Sequence, residues 1–165
     1  MNKRAAGPRL IIICGLPCSG KTTLARTLEK RLDAIRFCPD EWMQAFSLDI
    51  YDEQRRAQIE ALQWELGQRL LAHGLIVIIE WGTWGRSERD ALRIRAREMG
   101  AAVELHYLPA SEELLFERIQ QRGLENPPIT KDNLSHWFEV FQAPTPEESA
   151  LFDPPLLVDP IVPLD

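Results

Sequence analysis

The stretch Gly15-Leu16-Pro17-Cys18-Ser19-Gly20-Lys21-Thr22 has the spacing G-x-x-x-x-G-K-T. Its residue types converge on one kind of ligand, an anion carried by phosphate. Glycines at both ends of the variable part let the chain turn tightly and bring backbone N–H groups close to phosphate oxygens. A helical pattern opens at Lys21-Thr22-Thr23-Leu24, so the positive end of a helix dipole points to the same place. Lys21 is placed to reach β- and γ-phosphates, and the Thr22 hydroxyl to ligate Mg²⁺. The spacing therefore predicts a nucleotide cradle made of Gly15, Leu16, Pro17, Cys18, Ser19, Gly20, Lys21, Thr22 and Thr23, with Lys21 also acting in the chemistry.

Two carboxylates follow at the ends of apolar runs. Asp40 lies in Phe37-Cys38-Pro39-Asp40-Glu41-Trp42, after the short run from Ile35, and Glu80 ends Leu75-Ile76-Val77-Ile78-Ile79. In open parallel sheets ligands bind at the carboxyl ends of strands. Asp40 is thus expected to be the general base, on a strand next to the one that carries the glycine loop. Capping of the following helix is its alternative role. Glu80 is expected to organise Mg²⁺, and Glu41 to face solvent. Phosphoryl transfer also needs positive charge near the transferred group. Arg122, followed by Gly123 and the Pro127-Pro128 break, is the leading candidate, with Arg118 one helical turn earlier. Arg86 and Arg89 stand at the start of an arginine-rich helix face. Trp81 and Trp84 beside them read either as a stacking surface or as packing.

Positioning these residues requires strands that alternate with helices. Helices are predicted over about 21–32, 41–50, 52–72, 87–99, 111–123 and 131–141, and strands over about 10–14, 35–38, 75–79 and 102–108. In the long helix Ala57, Leu62, Leu66 and Leu70 mark the apolar face. Ser87 is the expected cap of the helix it opens. Leu156-Leu157-Val158 is a candidate last strand in a Pro-rich tail. Fully apolar strands with helices between them predict an α/β three-layer sandwich around a parallel, about five-stranded sheet.

The 165 residues fit a single domain over 1–165, with a flexible start over 1–8 and the tail over 143–165. A net charge of −6 argues against a nucleic-acid surface as the main function, although a local basic groove stays open. Three cysteines, Cys14, Cys18 and Cys38, give neither a disulfide framework nor zinc spacing, and Cys14 reads as a buried strand residue. The apolar run after the basic N-terminus is too short for a signal peptide or a membrane span. The expectation is a reduced, cytoplasmic protein with no membrane association.

The glycine loop together with Pro39-Asp40-Glu41-Trp42, Ile79-Glu80-Trp81-Gly82-Thr83-Trp84 and Ser87-Glu88-Arg89-Asp90 resembles the small P-loop kinases of the AAA-type ATP-binding domain group. That group includes polynucleotide kinase, chloramphenicol phosphotransferase and zeta-toxin-like enzymes. The resemblance runs from about residue 10 to 141 and implies a kinase-like P-loop fold with a short helical lid. It implies that Asp40 takes the proton of an acceptor hydroxyl and that Arg122, or Arg118, closes over the phosphates. Cys18 stands where such loops commonly have Gly, and Glu80 where many have Asp. No Asn-Lys-x-Asp or Asp-x-x-Gly motif occurs, so ATP is expected rather than GTP. The expected activity is Mg-dependent transfer of the ATP γ-phosphoryl group to a small-molecule hydroxyl. A polynucleotide 5′-hydroxyl kinase and a non-catalytic nucleotide-binding regulator are the alternatives. The acceptor and the oligomeric state stay open.

Overall fold

The computed structural model describes residues 7–123 and 128–157. Four parallel strands form one sheet: β1 (Arg9–Cys14), β2 (Ile35–Phe37), β3 (Ile76–Gly82) and β4 (Ala102–Tyr107), in the spatial order β2-β3-β1-β4. Leu10 lies beside Val77 and Val103, and Ile12 beside Ile79 and Leu105; the β1–β3 register then shifts, so that Cys14 lies beside Gly82. β3 lies between β1 and β2. Asp40 therefore follows a strand two places from β1, and Glu80 lies on the adjacent one. This corrects the expectation that put Asp40 on the neighbouring strand.

Side chains of β1 alternate between two apolar layers, as the pleat requires. Leu10 and Ile12 join Val77, Ile79, Leu71, Leu92 and Ala96 in one core. Their helices are α3 (Glu53–Ala72) and α4 (Arg86–Glu98). Ile11 and Ile13 turn to the other face and meet Ala25 and Leu28 of α1 (Lys21–Leu32). The sandwich thus has three layers, as predicted. A third apolar cluster joins Leu16 of the glycine loop to Leu115 and Ile119 of α5 (Glu112–Arg122) and Leu134 of α6 (Lys131–Val140). It seats a helical pair on the loop.

Some elements depart from expectation. α2 runs over Pro39–Ala45 rather than 41–50, with proline in its first turn, where a missing N–H costs nothing. The buried stripe of α3 is Ile59, Gln63, Gly67 and Leu71, whereas Leu62 is exposed. A side chain at Gly67 would lie only 3.5–3.6 Å from Val77 and Phe37, so the helix approaches the sheet closely there. α4 begins at Arg86 behind Gly85, so Ser87 is inside the helix and does not cap it. The Arg86 N–H instead donates to Gln142 Oε1 at 2.9 Å. The tail contains a short helix, α7 (Pro146–Ser149), and then runs along β4. There the Asp153 N–H donates to Val103 O at 2.7 Å and Val103 N–H to Asp153 Oδ2 at 2.7 Å. Pro154 and Pro155 follow and have no N–H to continue a ladder, so no fifth strand forms among the described residues. Val158, most of the predicted flexible start and Pro127 lie outside those residues.

Candidate functional site

The glycine loop joins β1 to α1 at the carboxyl edge of the sheet. Its first residue is fixed from below by the Gly15 N–H, which donates to Gly82 O at 3.3 Å. A Cβ on Gly15 would meet Ser19 Oγ at 2.7 Å and Leu108 O at 3.0 Å, so no other residue fits without displacement. Gly20 is the N-cap of α1 with φ 101°, and no side chain caps the helix. No acidic residue stands in its first turn either. The positive end of α1 is consequently open to an external anion.

Cys18 also has a left-handed backbone, φ 61°. Any residue with a Cβ is strained there by about 1 kcal/mol, which is a physical reason for the glycine common at this position in related loops. The thiol side packs against the apolar cluster of α5 and α6. Lys21 folds back on the loop, its Nζ donating to Leu16 O at 2.8 Å. Burial pushes the Lys21 ammonium below its ordinary range, while Glu80 and Asp40 act in the opposite direction. Arg118 reaches the same loop from α5, with Nη1 donating to Cys18 O at 3.1 Å. It also walls a cavity of about 530 Å³ together with Ser19, Gly20, Thr23, Thr27 and Leu108. Arg122 is the last residue of α5, before the left-handed cap Gly123.

Glu80 is brought to the start of α1. Thr22 Oγ1 donates to Glu80 Oε1 at 3.2 Å, although the two residues are far apart in sequence. The Glu80 side chain is only 2% exposed, and its Oε2 has no hydrogen-bond partner among the described residues. Its other neighbours include Arg36 on β2, with Nη1 at 3.2 Å from Oε1, and the Cys38 thiol. Arg36 also contacts both Glu41 oxygens, at 2.7 and 2.8 Å, and Glu29 at 3.1 Å. Burial opposes the Arg36 charge, yet Glu41, Glu80 and Glu29 hold its pKa above the ordinary value. Glu41 thus belongs to an ion-pair cluster, which also includes Arg26 at 2.9 Å, and does not simply face solvent. Burial and then the Glu80 carboxylate push the Cys38 thiol up to about 12.

Asp40 sits in the first turn of α2 behind the N-cap Cys38, so it is not itself the cap. Its carboxylate is 56% exposed and pairs with Arg56 of α3. Arg56 lies 3.8 Å from Glu60 as well. Arg36 and Arg56 escape a motif-based reading. The one trace of Arg36 in the sequence is a charge between Ile35 and Phe37 in an otherwise apolar strand.

The tryptophans serve packing. Trp81 Nε1 donates to Gln63 Oε1 at 2.9 Å inside the core. Trp84 meets Trp137 and Phe141 edge-on, with ring centres 6.1 and 6.3 Å apart. Arg89 is fully buried. It donates to Glu148 at 2.6 and 2.9 Å and to the carbonyls of Thr83 at 2.9 Å and Gln142 at 2.8 Å. It therefore clasps the tail to the turn that follows β3.

Among the described residues no helix is long and apolar enough to cross a membrane. Nor does any group of three or more His, Cys, Asp or Glu among them form a metal cage.

No curated protein matches the sequence. Solved structures do match. A gluconokinase from Sinorhizobium meliloti 1021 is 21% identical, over 85% of this chain and 78% of its own, with a TM-score of 0.61. A sugar kinase from Janibacter sp. HTCC2649 is 22% identical, over 86% and 82%, with a TM-score of 0.62. A chain of the Pnkp1/Rnl/Hen1 RNA repair complex is 21% identical, over 92% of this chain and 48% of its own, with a TM-score of 0.67. At these identities the likeness establishes the fold, that of small P-loop kinases. A family model described as an AAA domain matches residues 10–144, and the chain belongs to that family.

Proposed function

We propose that the protein is a Mg-dependent kinase that moves the γ-phosphoryl group of ATP to a hydroxyl of a small molecule. The observation that carries this reading is the meeting of Thr22, at the uncapped end of α1, with Glu80 of the adjacent strand at 3.2 Å. A buried carboxylate oxygen without a partner beside an open helix N-terminus fits a hydrated Mg²⁺ next to a polyphosphate. When bound, Mg²⁺ neutralises charge on the phosphate oxygens.

The chain's own residues divide the remaining work. Backbone N–H groups of the glycine loop and of the first turn of α1 hold the phosphates. Lys21 exchanges the Leu16 carbonyl for β- and γ-phosphate oxygens. Thr22 and Glu80 orient the metal and its water. The cavity beside Arg118 takes the nucleoside end, with Leu108 as its apolar wall. Arg118 already touches the loop, and Arg122, one turn later on the same helix, adds positive charge for the transferred group. Asp40, exposed and aligned by Arg56, accepts the proton of the acceptor hydroxyl.

The test is phosphate transfer from labelled ATP to sugars, sugar acids, nucleosides, antibiotics and 5′-hydroxyl oligonucleotides. Transfer to a small-molecule hydroxyl is the expected result. Asp40→Asn should then lower transfer by roughly 10²–10⁴, the usual loss for a general base, while ATP affinity stays within a few fold. Phosphorylation of oligonucleotides alone would make the protein a polynucleotide kinase. ATP binding with no transfer to any acceptor would favour a regulatory nucleotide-binding role.

A further inference from the structure

The buried guanidinium of Arg36 has no part in the reading above. Its side chain is 8% exposed and that of Glu80 is 2% exposed. Three acids from three elements surround it: Glu29 of α1, Glu41 of α2 and Glu80 of β3. Nε and Nη2 are taken by Glu29 and Glu41 through aligned hydrogen bonds. Nη1 lies 3.2 Å from Glu80 Oε1 as an ion pair without hydrogen-bond alignment, and it makes no hydrogen bond among the described residues. A guanidinium is a planar fork whose donors have fixed directions. With two arms anchored, the third cannot choose its orientation. It bears on the same Glu80 oxygen that receives the Thr22 hydroxyl. The second oxygen, Oε2, is buried and meets no aligned hydrogen-bond donor among the described residues, although the Cys38 thiol lies against the same carboxylate.

We infer that Arg36 is a positioning residue. It orients Glu80 so that one carboxylate oxygen is reserved for the metal bound with the nucleotide. This rests on the reading of the loop as a Mg²⁺–nucleotide site. Outer partners that orient a metal-organising group typically contribute about 10–100-fold to metal affinity. Arg36 also grips Glu41, next to Asp40 in the first turn of α2. One fixed cation thus keeps the metal-organising acid and the base-bearing turn in a single frame.

Calorimetric titration of the full chain with ATP, in excess Mg²⁺ and in chelator, tests the role by binding alone. In Arg36→Lys, ATP affinity in chelator should stay within about threefold of wild type, while the gain from Mg²⁺ falls by about 10–100-fold. Lysine keeps the charge and supports folding but cannot span two acids and still aim at a third. Glu80→Gln should show the same loss. The double variant should be no worse than Glu80→Gln alone, because Arg36 acts through Glu80. A Mg²⁺ gain of wild-type size or larger in Arg36→Lys overturns the role. So does a loss that adds to that of Glu80→Gln. A wild-type protein that binds ATP equally with and without Mg²⁺ would instead overturn the reading of the site itself.

Discussion

Among single residues, Glu60 makes the clearest prediction about pH. Burial raises its carboxyl pKa from 4.5 to about 7, Arg56 opposes the shift, and Glu88 and Asp40 add to it. The folded chain keeps this proton where the unfolded chain has lost it. The contribution of Glu60 to stability should therefore be full below about pH 4.5 and decline as pH rises toward about 7. Glu60→Gln resembles the protonated form and removes the decline. The side chain is 27% exposed, so the gain over wild type at about pH 8 should be on the order of 2 kcal/mol, with none at about pH 4.5. Urea midpoints at the two pH values check it, and equal midpoints at the higher one would refute it. The loop residues and Glu80 are legible in the sequence because motif spacing and the end of an apolar run mark them. Arg36, Arg56 and Glu60 are not, because their partners come from other elements and no local pattern points to them.

Between elements, the clasp from α4 to α7 sets how the tail is held. Arg89 is buried against burial's cost to its charge, and the Glu148 bonds keep its pKa above the ordinary value. The same guanidinium secures the Thr83 carbonyl in a turn where Thr83 has φ 43°, a strained conformation for a β-branched residue. That turn borders Gly82, whose carbonyl receives the N–H of Gly15. Glu148→Ala leaves a buried cation without its counter-charge and should cost about 3–5 kcal/mol. Replacing both partners by Met and Leu should recover only part of that, since apolar groups can match a buried ion pair but leave the Thr83 and Gln142 carbonyls without their donor. Denaturation midpoints of the two variants decide this, and a silent Glu148→Ala would show the clasp to be idle. Sequence patterns locate α1 and α5 well because their boundaries are written locally, by Gly20 in one and by Ser111 and Gly123 in the other. They misplace the start of α4 because its first N–H is satisfied by the distant Gln142, and the buried face of α3 because glycine and glutamine occupy it. Hydrophobicity alone does not mark such positions.

In the whole molecule, apolar runs that alternate with helical patterns make the layered parallel sheet legible, but they do not order its strands. That order puts Glu80, not Asp40, on the strand beside the glycine loop. It thereby puts the acid proposed to organise the metal and the proposed base at the ends of two neighbouring strands. The tail is equally opaque in sequence, because prolines suggest irregular chain while Asp153 and Glu148 tie it to β4 and α4. Everything proposed for the molecule depends on the uncapped end of α1 receiving a nucleotide. Calorimetric titration of the full chain with Mg²⁺–ATP, for wild type and Lys21→Ala, tests that most directly. Removing one charged hydrogen-bond donor to phosphate forfeits about 1.5–3 kcal/mol, so the variant should bind about 10–100-fold more weakly. Equal affinity in the two proteins, or no binding in the wild type, would contradict the account.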